Sequence, residues 1–222
     1  NVYVIPDQLS FELAALVEPL SVALHGVNRA RVEPGSKVVV HGAGMIGLGV
    51  VINLRRRGVR DIVVVDRQDH RLELARRMGA AATINPDQQD LRATLAALHG
   101  ESTKYGFSTV NTEVFIDAAG AGSLLQRSIE ICAHGARIVV VAVHHQPIAL
   151  DLLMVMAKEI ELTGSIAYPG NEFQEVIDML TEGKIDVTPL ITHRFPFSEV
   201  LAAFGQARDI KTAVKVMVDI GA

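Results

Sequence analysis

Cysteine is nearly absent: Cys132 is the single one in 222 residues. One thiol excludes an internal disulfide, and its place between Ile131 and Ala133 reads as a small core residue in a protein of the reducing cytoplasm. An excess of positive charge is also missing. Lys plus Arg number 21 against 25 Asp plus Glu, a net charge of −4, which points away from nucleic acid and anionic membrane surfaces as partners. No apolar run reaches the roughly 20 residues that a membrane-spanning helix needs. The N-terminus lacks the charged-then-apolar pattern of a signal peptide. What remains is 49% hydrophobic and 21% charged, the balance of a globular chain, with length enough for a full core.

What is present centres on Ser36 to Asp66, SKVVVHGAGMIGLGVVINLRRRGVRDIVVVD. Lys37 to His41 reads as a buried strand, Gly42 to Gly47 as a tight turn, Met45 to Arg57 as a helix and Asp61 to Val65 as a second strand. Asp66 then follows Gly47 by 19 residues. Strand, glycine turn, helix, strand and acid in that order form the dinucleotide-binding fingerprint. Gly42 permits the turn, Gly44 lets backbone approach a pyrophosphate, and Gly47 lets the helix pack closely; the N–H groups of Met45 and Ile46 begin the helix end that faces the anion. A carboxylate at Asp66 accepts hydrogen bonds from the ribose hydroxyls of NAD and repels the 2′-phosphate of NADP. Arg67 could pair with that phosphate, yet NAD is expected because the acid would first have to be displaced or neutralised.

Taken in order, the chain opens with an extended stretch, Val2 to Ile5. Ser10 is placed to cap a helix running through Leu13, Leu16 and Val17, and Pro19 is expected to break it after Glu18. A second helix should run from Leu20 to Asn28. Past the fingerprint, helices are expected at Asp69–Met78, Gln89–His99, Leu124–Ala133 and Leu152–Ala157. Strands should alternate with them at Ala82–Ile84, Val114–Ile116, Arg137–Val143 and Glu161–Ile166. This alternation predicts an α/β fold with a doubly wound parallel sheet, the ligand crevice lying at the strand C-termini. Beyond Gly164 the alternation stops. An amphipathic helix over Glu172–Glu182, an extended Leu190–Thr192, a helix at Phe197–Ala207 capped by Ser198 and a strand at Ala213–Val218 read as part of a second domain.

Glu18 is an acid inside an apolar stretch. By spacing alone a solvated helix-end carboxylate is the favoured reading. His25 and His41 read as packed, and His144 and His145 as solvated loop residues, with a functional role for the latter pair left open.

The run LVEPLSVALH from Leu16 to His25, GAGMIG, Asp66 with Arg71 five positions on, RLELARRMGA, LTGSIAY and PLITHRFPFSEVLAAF together resemble the zinc-dependent medium-chain dehydrogenases. Within that family the sequence is most similar to the branch of butanediol, sorbitol and threonine dehydrogenases. The resemblance implies residues 26–166 as the NAD-binding Rossmann domain, with 1–25 and 167–222 as remnants of a catalytic domain at both ends. It also implies that Glu18 lies at the catalytic zinc, as ligand or as partner of a zinc-bound water. Ile46 and Arg71 would touch the cofactor; Val141, Ala142 and Val143 would line its nicotinamide side, with Ser165, Ile166 and Ala167 closing over it.

Departures from the family pattern matter as well. Its other zinc ligands, a cysteine and a His-Glu pair, and its four-cysteine lobe lie N-terminal to where this sequence starts, so most ligands are expected outside the chain. Ala167 stands where sorbitol-type members carry an arginine, which leans toward a small diol or hydroxyketone. The expectation is an NAD-dependent, zinc-assisted oxidation of a secondary alcohol, in a homodimer or homotetramer, with this chain alone inactive. Alternatives are an L-threonine or polyol dehydrogenase, a zinc-free NADPH-using reductase, which Asp66 opposes, and a nucleotide-binding module without turnover.

Overall fold

The computed structural model describes residues 2–221. Its centre is a six-stranded parallel sheet built from β1 (Val38–His41), β2 (Ile62–Val65), β3 (Ala82–Ile84), β6 (Val114–Asp117), β7 (Arg137–Val140) and β8 (Glu161–Gly164). Their order across the sheet is β3-β2-β1-β6-β7-β8, with every pairing parallel. The order reverses between β1 and β6, and the crevice above that reversal is where a doubly wound sheet receives a ligand.

Alternation along the central strands sorts the core into two layers. Val38, Val40, Ile62, Val64, Val114 and Ile116 face one apolar cluster, with α2 (Val17–Ala30), α3 (Met45–Arg56) and α8 (Gly170–Glu182) packed on it. Val39, Val63, Val65, Phe115 and Ile138 face the other, covered by α5 (Leu91–His99), α6 (Gly122–Ile131) and α7 (Leu152–Ala157). A strand buried on both faces must be apolar at every position, which accounts for the unbroken VVV and IVVV runs. Between β2 and β3 lies α4 (Asp69–Arg77).

Several local expectations need correction. Ser10 caps only the short α1 (Phe11–Ala14), its side chain accepting from the Leu13 N–H. Pro19 does not break a helix; it sits in the first turn of α2, where a missing N–H costs nothing because that turn has no acceptor for it. An antiparallel hairpin, β4 (Glu101–Lys104) and β5 (Phe107–Val110), occupies a stretch without a predicted element. Ser198 is no cap: Phe197–Glu199 is a 3₁₀ turn leading into α9 (Val200–Ala207), which has no side-chain cap. The last segment pairs β9 (Ile191–Pro196) with β10 (Lys215–Asp219) in a separate two-stranded sheet. No helix among the described residues is long and apolar enough to cross a membrane.

Candidate functional site: a nucleotide-type cleft at the sheet reversal

Strand β1 ends at His41, and the chain turns at once into α3. Gly42 has φ +92°, a left-handed conformation open to glycine, and a Cβ there would lie 2.9 Å from the Ala118 carbonyl oxygen. Gly47 is more constrained. A Cβ on it would come within 1.8 Å of the Gly42 oxygen, so the close approach is to the turn's own backbone rather than to the sheet. Gly44 is the N-cap of α3, which has no side-chain cap, and the first N–H groups of the helix therefore face the cleft. Met45 and Ile46 are half-buried and turn their side chains toward the first apolar cluster.

Asp66 stands at the lip, where β2 ends. One carboxylate oxygen accepts from the Ala43 N–H at 2.7 Å and the other from the Gln68 N–H at 2.8 Å. This fixes the carboxylate beside the glycine turn and keeps negative charge at the point where a ribose would meet the chain. Arg67, the residue that could have favoured a phosphate, is held by Asp87 at 2.7 Å, and that carboxylate raises the guanidinium's proton affinity further. Arg71 lies over the turn: its Nη1 is 3.9 Å from a Cβ built on Gly44, and its Nη2 donates to the Ala213 carbonyl at 2.8 Å. Its Nε is buried without a hydrogen-bond partner among the described residues, a donor awaiting an acceptor.

Gly42, Gly44, Asp66, Arg67 and Arg71 line a cleft of about 590 Å³ together with residues not among those expected from the sequence, while Met45, Ile46 and Gly47 are outside the lining. Ala118, Ala119 and Ala121 come from the loop after β6, Ser123 from the first turn of α6, and Ile210 from the C-terminal segment. The DAAGAGS stretch carried a signal for the first four, small residues directly after a buried strand. Ile210 carried none, because it reaches the cleft only through the fold.

Val141, Ala142, Val143, Ser165, Ile166 and Ala167, which follow β7 and β8, are not in the lining of this cleft. Asp117 is 1% exposed, and a buried carboxylate must be satisfied. One oxygen accepts from the Ala119 and Gly120 N–H groups at 3.0 Å each, and the other meets Nε2 of His144 at 2.7 Å. His144, whose role the sequence leaves open, is thus the side-chain hydrogen-bond partner of the buried Asp117. Val141 and Ala142 bind the Asp117 carbonyl through their N–H groups. The Val141 side chain turns away from the cleft to fill the hollow at Gly26, its Cγ2 only 2.9 Å from a Cβ built there. Val143 is exposed, as are Ile166 and Ala167, the latter with φ +52°. Ser165 Oγ is buried and unpartnered among the described residues.

Two further histidines tie the fold together. His41 is buried, with Nε2 at 2.8 Å from Ser128 Oγ and its ring stacked on Phe115, and burial lowers its pKa to about 4, so it is neutral. His25 joins Glu172 at 3.0 Å, tying α2 to α8. Cys132 is buried and its thiol is pushed up to about 11, chemically quiet.

Glu18 is an exposed carboxylate in the first turn of α2. Its charge helps, after burial, to raise the pKa of Tyr168, whose ring packs on Phe173. Among the described residues no three His, Cys, Asp or Glu side chains come together as a metal site.

Comparison with known proteins agrees with this geometry. Residues 46–182 match the family model described as zinc-binding dehydrogenase. The chain is 32% identical to the D-xylulose reductase of Saccharomyces cerevisiae, covering 96% of this chain and 60% of that protein. It is 36% identical to the L-threonine 3-dehydrogenase of an Anaeromyxobacter species, covering all of this chain and 62% of the other. Among solved structures, the 2R,3R-butanediol dehydrogenase of Bacillus subtilis superposes with a TM-score of 0.87 at 27% identity, over 99% of this chain and 60% of that one. A short chain alcohol dehydrogenase of Escherichia coli CFT073, complexed with NADH, does so with a TM-score of 0.88 at 30% identity, over 99% and 63%. The chain thus spans about three-fifths of the length of these proteins. With a family model covering more than half its residues and the parallel sheet, glycine turn and Asp66 in place, the chain belongs to the zinc-binding dehydrogenases.

Proposed function

We propose that this chain supplies the cofactor-binding part of an NAD-dependent alcohol dehydrogenase that oxidises a secondary alcohol or small diol, of the 2,3-butanediol kind, to a ketone. The observation that carries the proposal is the Asp66 carboxylate, held by two backbone N–H groups at the mouth of the glycine turn while Arg67 is engaged by Asp87. A fixed negative charge there favours ribose hydroxyls and disfavours a 2′-phosphate. The unpartnered Nε of Arg71 and the uncapped start of α3 supply donors for the anionic part of the same ligand.

In this reading Gly42, Gly44, Met45, Ile46 and Gly47 cradle the pyrophosphate, and Asp66, Arg67 and Arg71 hold the adenosine half. The backbone of Val141 and Ala142, with Val143, Ser165, Ile166 and Ala167, orients the nicotinamide half and shields it from water. Accepting a hydride from the carbinol carbon is the chemistry the dinucleotide supplies when bound. Asp117 and His144 keep the floor of that half rigid. Toward a zinc ion the described residues offer one carboxylate, Glu18, and residues 1–25 and 167–222 are assigned with it to the catalytic portion around 26–166. We place the assembly in the cytoplasm as a homodimer or homotetramer. The threonine dehydrogenase relative supports an L-threonine or polyol substrate as a second reading.

Calorimetric titration with NAD⁺ and NADP⁺, repeated on Asp66→Ala, tests the proposal. Expected are clearly tighter binding of NAD⁺ and loss of that preference in the variant. Binding of neither nucleotide, or equal binding of both by the unaltered chain, would overturn it.

A further inference from the structure

The far end of α3 borders a second cavity, of about 490 Å³. As α3 has 12 residues, this cavity at its C-terminal end lies about 18 Å along the helix from the glycine turn, and it shares no lining residue with the cleft there. Arg55 and Arg56 from α3, Arg60 from the loop before β2, Arg77 from α4 and Lys184 from the segment after α8 line it, with Asp186 as the only carboxylate in the lining. Five cations against one carboxylate give +4 here, in a chain whose net charge is −4. Arg56 also meets Glu175 at 2.5 Å and Lys184 meets Glu182 at 3.2 Å, both carboxylates outside the lining; with these two included the surplus is still +2. Asp186 spends one oxygen on the Thr188 N–H. Arg55, Arg60 and Arg77 have no carboxylate partner among the described residues.

Cations in the last turn of a helix interact well with its dipole, and this accounts for Arg55, Arg56 and Arg77 being there. It does not account for Arg60 and Lys184, which belong to no helix end of that kind, nor for all five meeting at one hollow against their mutual repulsion. The hollow is also built for this. Gly79 takes φ +107°, and a Cβ on it would come within 2.9 Å of Cγ and Nε of Arg55, so the glycine makes room for that guanidinium. Ile52, Met78, Ile185 and Pro189 form an apolar floor, which sharpens the field of the charges above it.

We propose that this hollow is a second anion site, for a small molecule carrying two or more linked phosphoryl groups. The proposal stands apart from the nucleotide cleft and does not rest on the reading of that cleft. Guanidinium forks from three elements match phosphoryl oxygens in geometry as well as charge, which a single lysine would not.

The test is calorimetric titration of the 222-residue chain with inorganic triphosphate and, at equal ionic strength, with sulfate. The same titrations are run on Arg60→Ser/Arg77→Ser and on Lys184→Ser, with NAD⁺ titrated in parallel and folding checked by circular dichroism. Expected is triphosphate binding at least about tenfold tighter than sulfate, weakened about tenfold or more in the double variant and less in the single one, each lost cation–phosphate contact acting on affinity directly. Affinity for NAD⁺ should not move. No triphosphate binding, binding no tighter than sulfate, or binding equal in the unaltered chain and the double variant would overturn the proposal. Failure of NAD⁺ to bind would count against the cofactor reading alone.

Discussion

A single proton on His41 links the cleft to stability. The ring sits directly before the glycine turn, fully enclosed, with Ser128 on Nε2 and no partner for Nδ1 among the described residues. Burial lowers its pKa to about 4, and the nearby Asp117 charge opposes that shift without reversing it. Because the folded value lies below the ordinary histidine value, the unfolded chain binds a proton between pH 4 and 6.5 that the folded chain does not. Stability from this group is therefore complete above pH 6.5 and is lost as pH falls toward 4, by on the order of 3 kcal/mol in all. His99, lowered by burial and countered by Asp61, adds to the same slope. Replacing His41→Gln keeps a partner for Ser128 and removes the titration. Urea unfolding at pH 7 and pH 4.5 should then show an acid loss smaller by about 2 kcal/mol than in the unaltered chain. Equal losses in the two proteins would mean that His41 is not the group responsible.

Elements in this fold are held at their ends by residues far away in sequence. Helix α6 finishes at Ile131 with no basic residue in its last turn. Its cation comes instead from Lys158, which is 1% exposed and donates to the carbonyls of Ile129 at 2.6 Å and Glu130 at 2.7 Å. Burial pushes the Lys158 ammonium down, yet it satisfies helix-end carbonyls that otherwise meet only the weak Cys132 thiol donor, on Ile129 at 3.6 Å, among the described residues. Lys158→Met keeps the length of the side chain and strips the donors, and should cost about 1–3 kcal/mol in urea unfolding. A variant as stable as the unaltered chain would show that dehydrating the charge cancels what the carbonyls gain. The same distance in sequence explains what could be read beforehand. Strand, glycine turn, helix and Asp66 all fall within 31 residues, so local spacing revealed them. The pairing of Asp117 with His144, the tether from Arg71 to Ala213 and the approach of Ile210 bridge 27 residues or more, and no local pattern marks them. The β4–β5 hairpin was hidden for another reason. Its first strand, ESTK, is exposed at every residue and so lacks alternation, and its turn uses Tyr105 at φ +53° before Gly106 rather than the usual Asn or Asp.

Across the whole molecule, apolar surface is left on two faces. Leu152, Leu153 and Met156 are exposed on α7, the helix that precedes the edge strand β8 in the chain, and Phe197, Leu201, Phe204 and Ile220 are exposed near the C-terminus. Apolar groups gathered in this way mark surfaces made to be covered. Strand β8, which follows α7, is the edge of the sheet, with β7 its only neighbour among the described residues. Strand β8 is kept straight from within: Arg137 reaches Glu161 at 2.6 Å, Arg31 reaches the same carboxylate at 2.5 Å, and Arg29 donates to the Gly164 carbonyl at 3.1 Å. A rigid, paired-on-one-side strand with Leu162 exposed on it is suited to meet a second copy across a two-fold axis, because that closes both edges at once. The proposed homodimer or homotetramer should use this edge, and multi-angle light scattering at micromolar concentration should give at least twice the 23.9 kDa chain mass. Leu162→Lys places a charge at the centre of the contact and should return the monomer without lowering the unfolding transition of the isolated chain, as the side chain is already 40% exposed. A monomer from the unaltered chain would remove the edge-pairing idea. A dimer that survives Leu162→Lys would move the interface to the second face, where Phe197, Leu201 and Phe204 become the residues to change next.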